Sequence, residues 1–148
     1  RMMAKKAIGT VNRDSVFSAI DLVPTLLTIC DTSTTQGISF DGESLPEILL
    51  GKSKKSRKQD IFFRRPPDRD SFYGIKDLPD LAIRSGKWKL LCEYDGSDPL
   101  LFDINKDRGE TKNLADQNHE IVKKLSGKLM AWHQSMPTDN GPQLADQN

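Results

Sequence analysis

At 148 residues the chain has the length of one domain and is large enough to bury a single core. Hydrophobic residues make up 36% and charged residues 29%, and a net charge of +1 argues against a dedicated nucleic-acid binder, which is normally strongly basic. No apolar run approaches the ~20 residues that a membrane-spanning helix needs. The two cysteines, Cys30 and Cys92, stand far apart in no metal-ligand spacing and read as free buried thiols.

The sequence opens at Arg1 without an initiator or a signal peptide and reads as a piece of something longer. Residues 1–9 show no period. Val16-Phe-Ser-Ala-Ile20 has the composition of a short strand, and Asp21 suits the N-cap of a following helix. Pro24 then falls in the first turn, where a missing N–H costs nothing because first-turn amides lack intrahelical partners. That helix is expected to run to about Cys30, with a polar loop over 31–36 and a turn at Asp41-Gly42. The latter explains Asp41 and Glu43 as turn and cap residues. Ser44 and Glu47 have the spacing of a capping box for a short helix ending at Gly51. Lys52, Lys54, Lys55, Arg57 and Lys58 form a basic run, read as a solvated linker at a subdomain boundary.

Ile61-Phe-Phe63 opens the next strand. A loop over 68–79 carries Arg69, Phe72, Tyr73 and Lys76, and loops of that length are often functional. Leu81-Ala-Ile-Arg and Trp88-Lys-Leu-Leu are then expected to pair as a hairpin through Ser85-Gly86, with Trp88 inward and Lys87 and Lys89 outward. Asp95-Gly-Ser-Asp-Pro99 turns the chain into a further strand, Leu100 to Ile104, which completes an antiparallel meander. A final helix over about 118–136 carries Ile121, Val122, Leu125, Leu129, Trp132 and Met136 at helical spacing, one stripe to lie across the sheet. Gly127 weakens that helix by ~1 kcal/mol without breaking it. Pro137 ends it, and residues 138–148 read as a tail.

No reaction centre is visible in these residues. His119 and His133 have no second ligand at zinc spacing and read as surface histidines. Gly37, Gly42 and Gly51 stand singly, so there is no nucleotide-binding fingerprint. Asp103, Asp107, Glu110 and Asp116 do not match the roughly twelve-residue calcium loop. Read from its residues alone, the chain is a soluble α+β domain.

Three stretches carry a resemblance. Ser18-Ala-Ile-Asp-Leu-Val-Pro-Thr-Leu-Leu27, followed by Phe40-Asp-Gly-Glu-Ser-Leu45, resembles the strand-to-helix segment that closes the large domain of the type I sulfatases. Ala82 to Leu91, then Leu101 to Glu110 and Asn113-Leu-Ala115, resemble that family's C-terminal subdomain, a small antiparallel sheet packed by a C-terminal helix. The resemblance implies four regions. Residues 1–51 are the edge of the alkaline-phosphatase-like α/β domain, 52–59 a basic linker, 60–137 the C-terminal subdomain and 138–148 a tail. It also implies sulfate-ester hydrolysis, with a formylglycine nucleophile and a calcium or similar divalent cation in the full-length enzyme, and export to the periplasm or beyond. Neither Cys30 nor Cys92 stands in the Cys/Ser-x-Pro-x-Arg motif that the formylglycine requires, so no catalytic residue and no metal ligand is assigned here.

The expected contribution is a rim to the substrate cleft, made by Arg64, Arg65, Arg69, Tyr73 and Lys76. Guanidinium groups bind sulfate through paired N–H bonds and a tyrosine face stacks on a sugar. Expected partners are the missing N-terminal sulfatase domain and a sulfated small molecule or glycan, with neither nucleic acid nor membrane, and a homodimer formed through an exposed apolar face around residues 16–29. The alternative is a free-standing polyanion- or glycan-binding module that uses the basic run Lys52 to Lys58 and the arginine-bearing loop.

Overall fold

The computed structural model describes residues 11–34, 37–65 and 78–137 and divides the chain into two compact units, Arg1–Gln59 and Asp60–Asn148. No helix among the described residues is long and apolar enough to cross a membrane.

In the first unit a 3-10 helix, Ala19–Asp21, leads directly into α1, Leu22–Ile29. The strand expected over 16–20 is therefore absent. The physical reason lies in Asp21, whose carboxylate reaches back to accept the Ser18 N–H at 2.8 Å while its own N–H bonds the Ser18 carbonyl at 3.0 Å. Those two bonds close a turn in a segment whose composition favours extension. Asp21 does occupy the N-cap position of α1, but its side chain caps no first-turn amide. Pro24 sits in the first turn as its chemistry requires.

The polarity of α1 is inverted. Its buried residues are Pro24 and Thr25, while Leu22, Val23 and Leu26 are 42%, 52% and 38% exposed. Thr25 earns its burial through hydrogen bonds, its Oγ1 accepting the Leu45 N–H at 2.9 Å. Gly42 is needed for contact: a Cβ there would lie 2.0 Å from the Ile20 carbonyl oxygen. α2 is one turn, Pro46–Leu49, with Leu45 at its N-cap and no side-chain cap. The capping box does not form, because the Ser44 hydroxyl hydrogen-bonds Thr28 Oγ1 at 2.5 Å and Glu47 pairs with Lys52 at 3.9 Å. Gly51 ends the helix at φ +71°, the left-handed conformation that glycine tolerates.

The second unit is a four-stranded antiparallel sheet in the order β1-β2-β3-β4, comprising Ile61–Arg64, Leu81–Ser85, Trp88–Cys92 and Leu100–Asp103. Ser85 pairs with Trp88, so the tight turn is Gly86-Lys87, one residue later than expected, with Gly86 at φ +56°. Alternation along the strands places Leu81 and Ile83, Leu90 and Cys92, and Leu101 on one face. That face is covered by α3, His119–Ser135, through Leu125 and Leu129; these residues and Ala115 form the core. Phe62 stacks on Trp132 at 5.2 Å between ring centroids and closes one edge. Asn113 fastens the approach to α3, its Oδ1 accepting the N–H groups of Leu101 and Ala115, both at 3.0 Å. The four-stranded antiparallel sheet and its C-terminal helix are those the sequence led us to expect.

Candidate functional site

Two clusters of charged side chains stand out, one in each unit. In the first, Asp21 and Arg57 are buried as an ion pair, with 0% and 3% of their side chains exposed. Asp21 accepts the Glu43 N–H at 2.9 Å and faces Arg57 Nη1 at 3.3 Å, while Arg57 Nε lies 3.5 Å from Glu43 Oε2. The same Glu43 oxygen accepts the N–H groups of Lys58 and Gln59 at 2.7 and 2.9 Å. The basic run is thus not wholly solvated. Arg57 is internal, Lys52 pairs with Glu47, and Lys54 pairs with Asp14 at 3.2 Å. Beside it lies a groove of about 410 Å³ lined by Leu45, Pro46 and Ile48, with Glu43 and Glu47 facing Lys55 and Lys58. Its charge is mixed, which does not favour a polyanion.

The second cluster lies where β1, β2 and β3 end on the side of the 66–79 connection. Arg65 donates its backbone N–H to the Asp80 carbonyl at 2.8 Å and its Nη2 to Asp80 Oδ1 at 2.9 Å. The Tyr94 hydroxyl donates to the Arg65 carbonyl. Glu93 follows at the end of β3, its pKa raised by burial first and then by a hydrogen bond to Asp80 and the charges of Asp80 and Asp98. Arg64 donates from Nη1 to the Pro137 carbonyl at 3.2 Å. The structure therefore gives both arginines partners within the fold. Arg69, Tyr73 and Lys76, the other expected rim residues, lie outside the described residues.

Neither cysteine is set up as a nucleophile. Burial, reinforced by Glu93, Asp95 and Asp80, pushes the Cys92 thiol up to about 11, so it is held as the thiol. Cys30 is exposed, which corrects the expectation of two buried thiols. It follows α1 in a context without the proline and arginine of the formylglycine motif. His133 is half-buried rather than a surface group, its ring 5.5 Å from that of Tyr94.

The described residues do not fit a divalent cation. Among the described residues no three His, Cys, Asp or Glu side chains converge. Asp103 pairs with Lys87 at 3.1 Å, and Glu110 grips Lys89 at 2.6 and 2.7 Å. Asp107 accepts the N–H groups of Thr111 and Lys112 at 2.8 and 2.9 Å. Each carboxylate is committed to the fold. Sequence reasoning missed the Asp21–Arg57–Glu43 cluster, and its one available signal was an arginine within a lysine-rich run.

Comparison with known proteins agrees with this anatomy. The profile of the family described as N-sulphoglucosamine sulphohydrolase, C-terminal, matches residues 2–135. Arylsulfatase K of Mus musculus is 34% identical over 132 residues, covering 86% of this chain and 23% of that protein. Arylsulfatase A of Bos taurus is 31% identical over 126 residues, covering 71% and 23%. Ps i-CgsB in complex with k-i-k-neocarrahexaose superposes with a TM-score of 0.64 at 19% identity, over 86% of this chain and 26% of that one. A structure from work on metabolism of multiple glycosaminoglycans by Bacteroides thetaiotaomicron gives 0.62 at 23% identity, over 81% and 25%. Both share the fold. The chain spans about a quarter of the length of the curated relatives it matches.

Proposed function

Because the chain belongs to the N-sulphoglucosamine sulphohydrolase C-terminal family of sulfatases, we propose that it is the C-terminal portion of an enzyme that hydrolyses sulfate esters of carbohydrates or aryl alcohols. The observation that carries this reading is the inverted polarity of α1, which turns Leu22, Val23 and Leu26 outward while burying Thr25. Apolar side chains on one face of a helix are retained where something covers them. The covering surface is the preceding sulfatase domain, which also brings the formylglycine and the divalent cation. The chain alone is inactive, and its catalytic contribution is the stretch from Arg64 to Lys76 at the rim of the cleft.

A binding module built on the basic run is the weaker reading, because Arg57, Lys52 and Lys54 already have acidic partners. The test is sulfate release from a chromogenic aryl sulfate and from a sulfated glycan by the longer natural polypeptide that contains these residues. Turnover of either is the expected result, and turnover of neither refutes the sulfatase reading.

A further inference from the structure

The basic run from Lys52 to Lys58 has no task in the sulfatase reading. Residues 53–58 belong to no helix or strand and lie just before the boundary between the two compact units, which falls after Gln59. Lys52, Lys54, Lys55, Ser56 and Lys58 are exposed. Trypsin-like endoproteases cut exposed, irregular segments of folded chains, and a carboxylate in their specificity pocket selects a lysine or arginine before the cut.

Five peptide bonds here follow a basic residue, and the structure leaves one of them untied. After Lys52, the Ser53 N–H is held by the Glu47 carbonyl at 3.0 Å. After Lys54, the Lys55 N–H is held by Ser53 Oγ at 3.1 Å, and Lys54 itself pairs with Asp14. Arg57 is buried against Asp21 and cannot enter a protease pocket. The bonds after Arg57 and Lys58 both have their N–H on Glu43 Oε2, at 2.7 and 2.9 Å. Only the Ser56 N–H has no hydrogen-bond partner among the described residues, and Lys55 before it makes no ion pair there. An amide tied into its own fold must first break free to be cut, so the untied bond is attacked first.

We propose that Lys55–Ser56 is a processing site for a trypsin-like endoprotease, and that the product is a two-chain protein that stays assembled. Hydrolysis takes up water, breaks the Lys55 C–N bond, and leaves a carboxylate on Lys55 and an ammonium group on Ser56. Every tether of the following residues then spans the cut. Ser56 Oγ accepts the Val16 N–H at 2.9 Å, Arg57 lies on Asp21 at 3.3 Å, and Glu43 holds the Lys58 and Gln59 amides. The piece that begins at Ser56 is thus anchored in the first unit by a buried ion pair and backbone hydrogen bonds. This inference is independent of the sulfatase reading.

Limited trypsin digestion of the 148-residue chain, with new termini identified by mass spectrometry, tests the assignment. Within residues 52–60 the Ser56 terminus should form about tenfold or more faster than termini at Ser53, Lys55, Lys58 or Gln59. Protein cut at this bond alone should elute undivided in size exclusion and part into two pieces only in urea. Lys55→Gln should lose the Ser56 terminus with an unchanged circular dichroism spectrum. The longer polypeptide isolated from the cells that make it should contain a fraction beginning at Ser56. Equal cutting after Arg57 or Lys58, or separation of the pieces in plain buffer, overturns the proposal. So does a Lys55–Ser56 bond that is intact throughout the natural material.

Discussion

Arg57 lies against Asp21 with Nη1 3.3 Å from its carboxylate, and 97% of the arginine side chain is withdrawn from solvent, since 3% is exposed. Removing one partner of a buried pair strands the other charge, which costs roughly 3 kcal/mol or more. Arg57→Ala and Asp21→Ala should each lower the unfolding free energy of the first unit by about 3 kcal/mol, measured by urea denaturation. The double variant should lose less than the sum, because neither charge is then left alone. Additive losses would show that the two side chains do not interact.

Gly42 supplies a purely steric counterpart. A methyl group at this position meets the Ile20 carbonyl oxygen at 2.0 Å, and the neighbour is backbone, which cannot swing aside. Gly42→Ala should cost about 2 kcal/mol, the range typical of overpacking, and thermal unfolding reads it directly.

The sheet and α3 were legible in the sequence because their periods are short-range. Leu81 and Ile83, then Leu90 and Cys92, alternate at two, and Leu125 and Leu129 recur at four. The buried cluster was not legible, because Asp21 and Arg57 are separated by 36 positions and no local pattern joins them. Val16 to Ile20 misled for a related reason. Its residues favour a strand, but the Asp21 carboxylate captures the Ser18 amide and turns the chain. Ser44 and Glu47 had the right spacing for a capping box, yet Thr28 holds the serine hydroxyl. Of the expected rim, Arg64 and Arg65 were found with partners inside the fold, a pairing their sequence neighbourhood does not show.

Acid should weaken the second unit through Asp60. Burial pushes the pKa of Asp60 up, but the hydrogen bonds from Lys128 and Ser85 and the charges of Lys128 and Lys124 outweigh it, leaving the pKa lowered. Lys128 Nζ lies 2.5 Å from its carboxylate. A lowered carboxylate pKa contributes stability above the unfolded value and loses it as pH falls through the folded value. Asp60→Asn should therefore show a shallower loss of stability than wild type between about pH 5 and pH 2. Parallel curves would contradict the assignment.

The exposed face of α1 predicts self-association of the isolated chain. Leu22→Ser, Val23→Ser and Leu26→Ser together should shift a concentration-dependent dimer to monomer in sedimentation velocity. The individual changes should cost within about 0.5 kcal/mol of stability, because these side chains are exposed. The same triple change in the longer polypeptide should lower its yield of folded protein if, as proposed, the preceding domain covers this face.

In that longer polypeptide Arg69→Ala and Lys76→Ala should raise KM for a sulfated glycan by about tenfold each, the effect of losing one charge-assisted contact, with kcat little changed. An unchanged KM in both variants would remove this stretch from the substrate cleft.

These residues are proposed to complete a sulfatase without holding its chemistry. The most direct measurement is sulfate release by the purified 148-residue chain at high protein concentration, in the presence of calcium, with Cys30→Ala as control. No release above the uncatalysed rate is expected for either protein. Turnover by the wild-type chain that disappears in Cys30→Ala would contradict it and place the nucleophile within these residues.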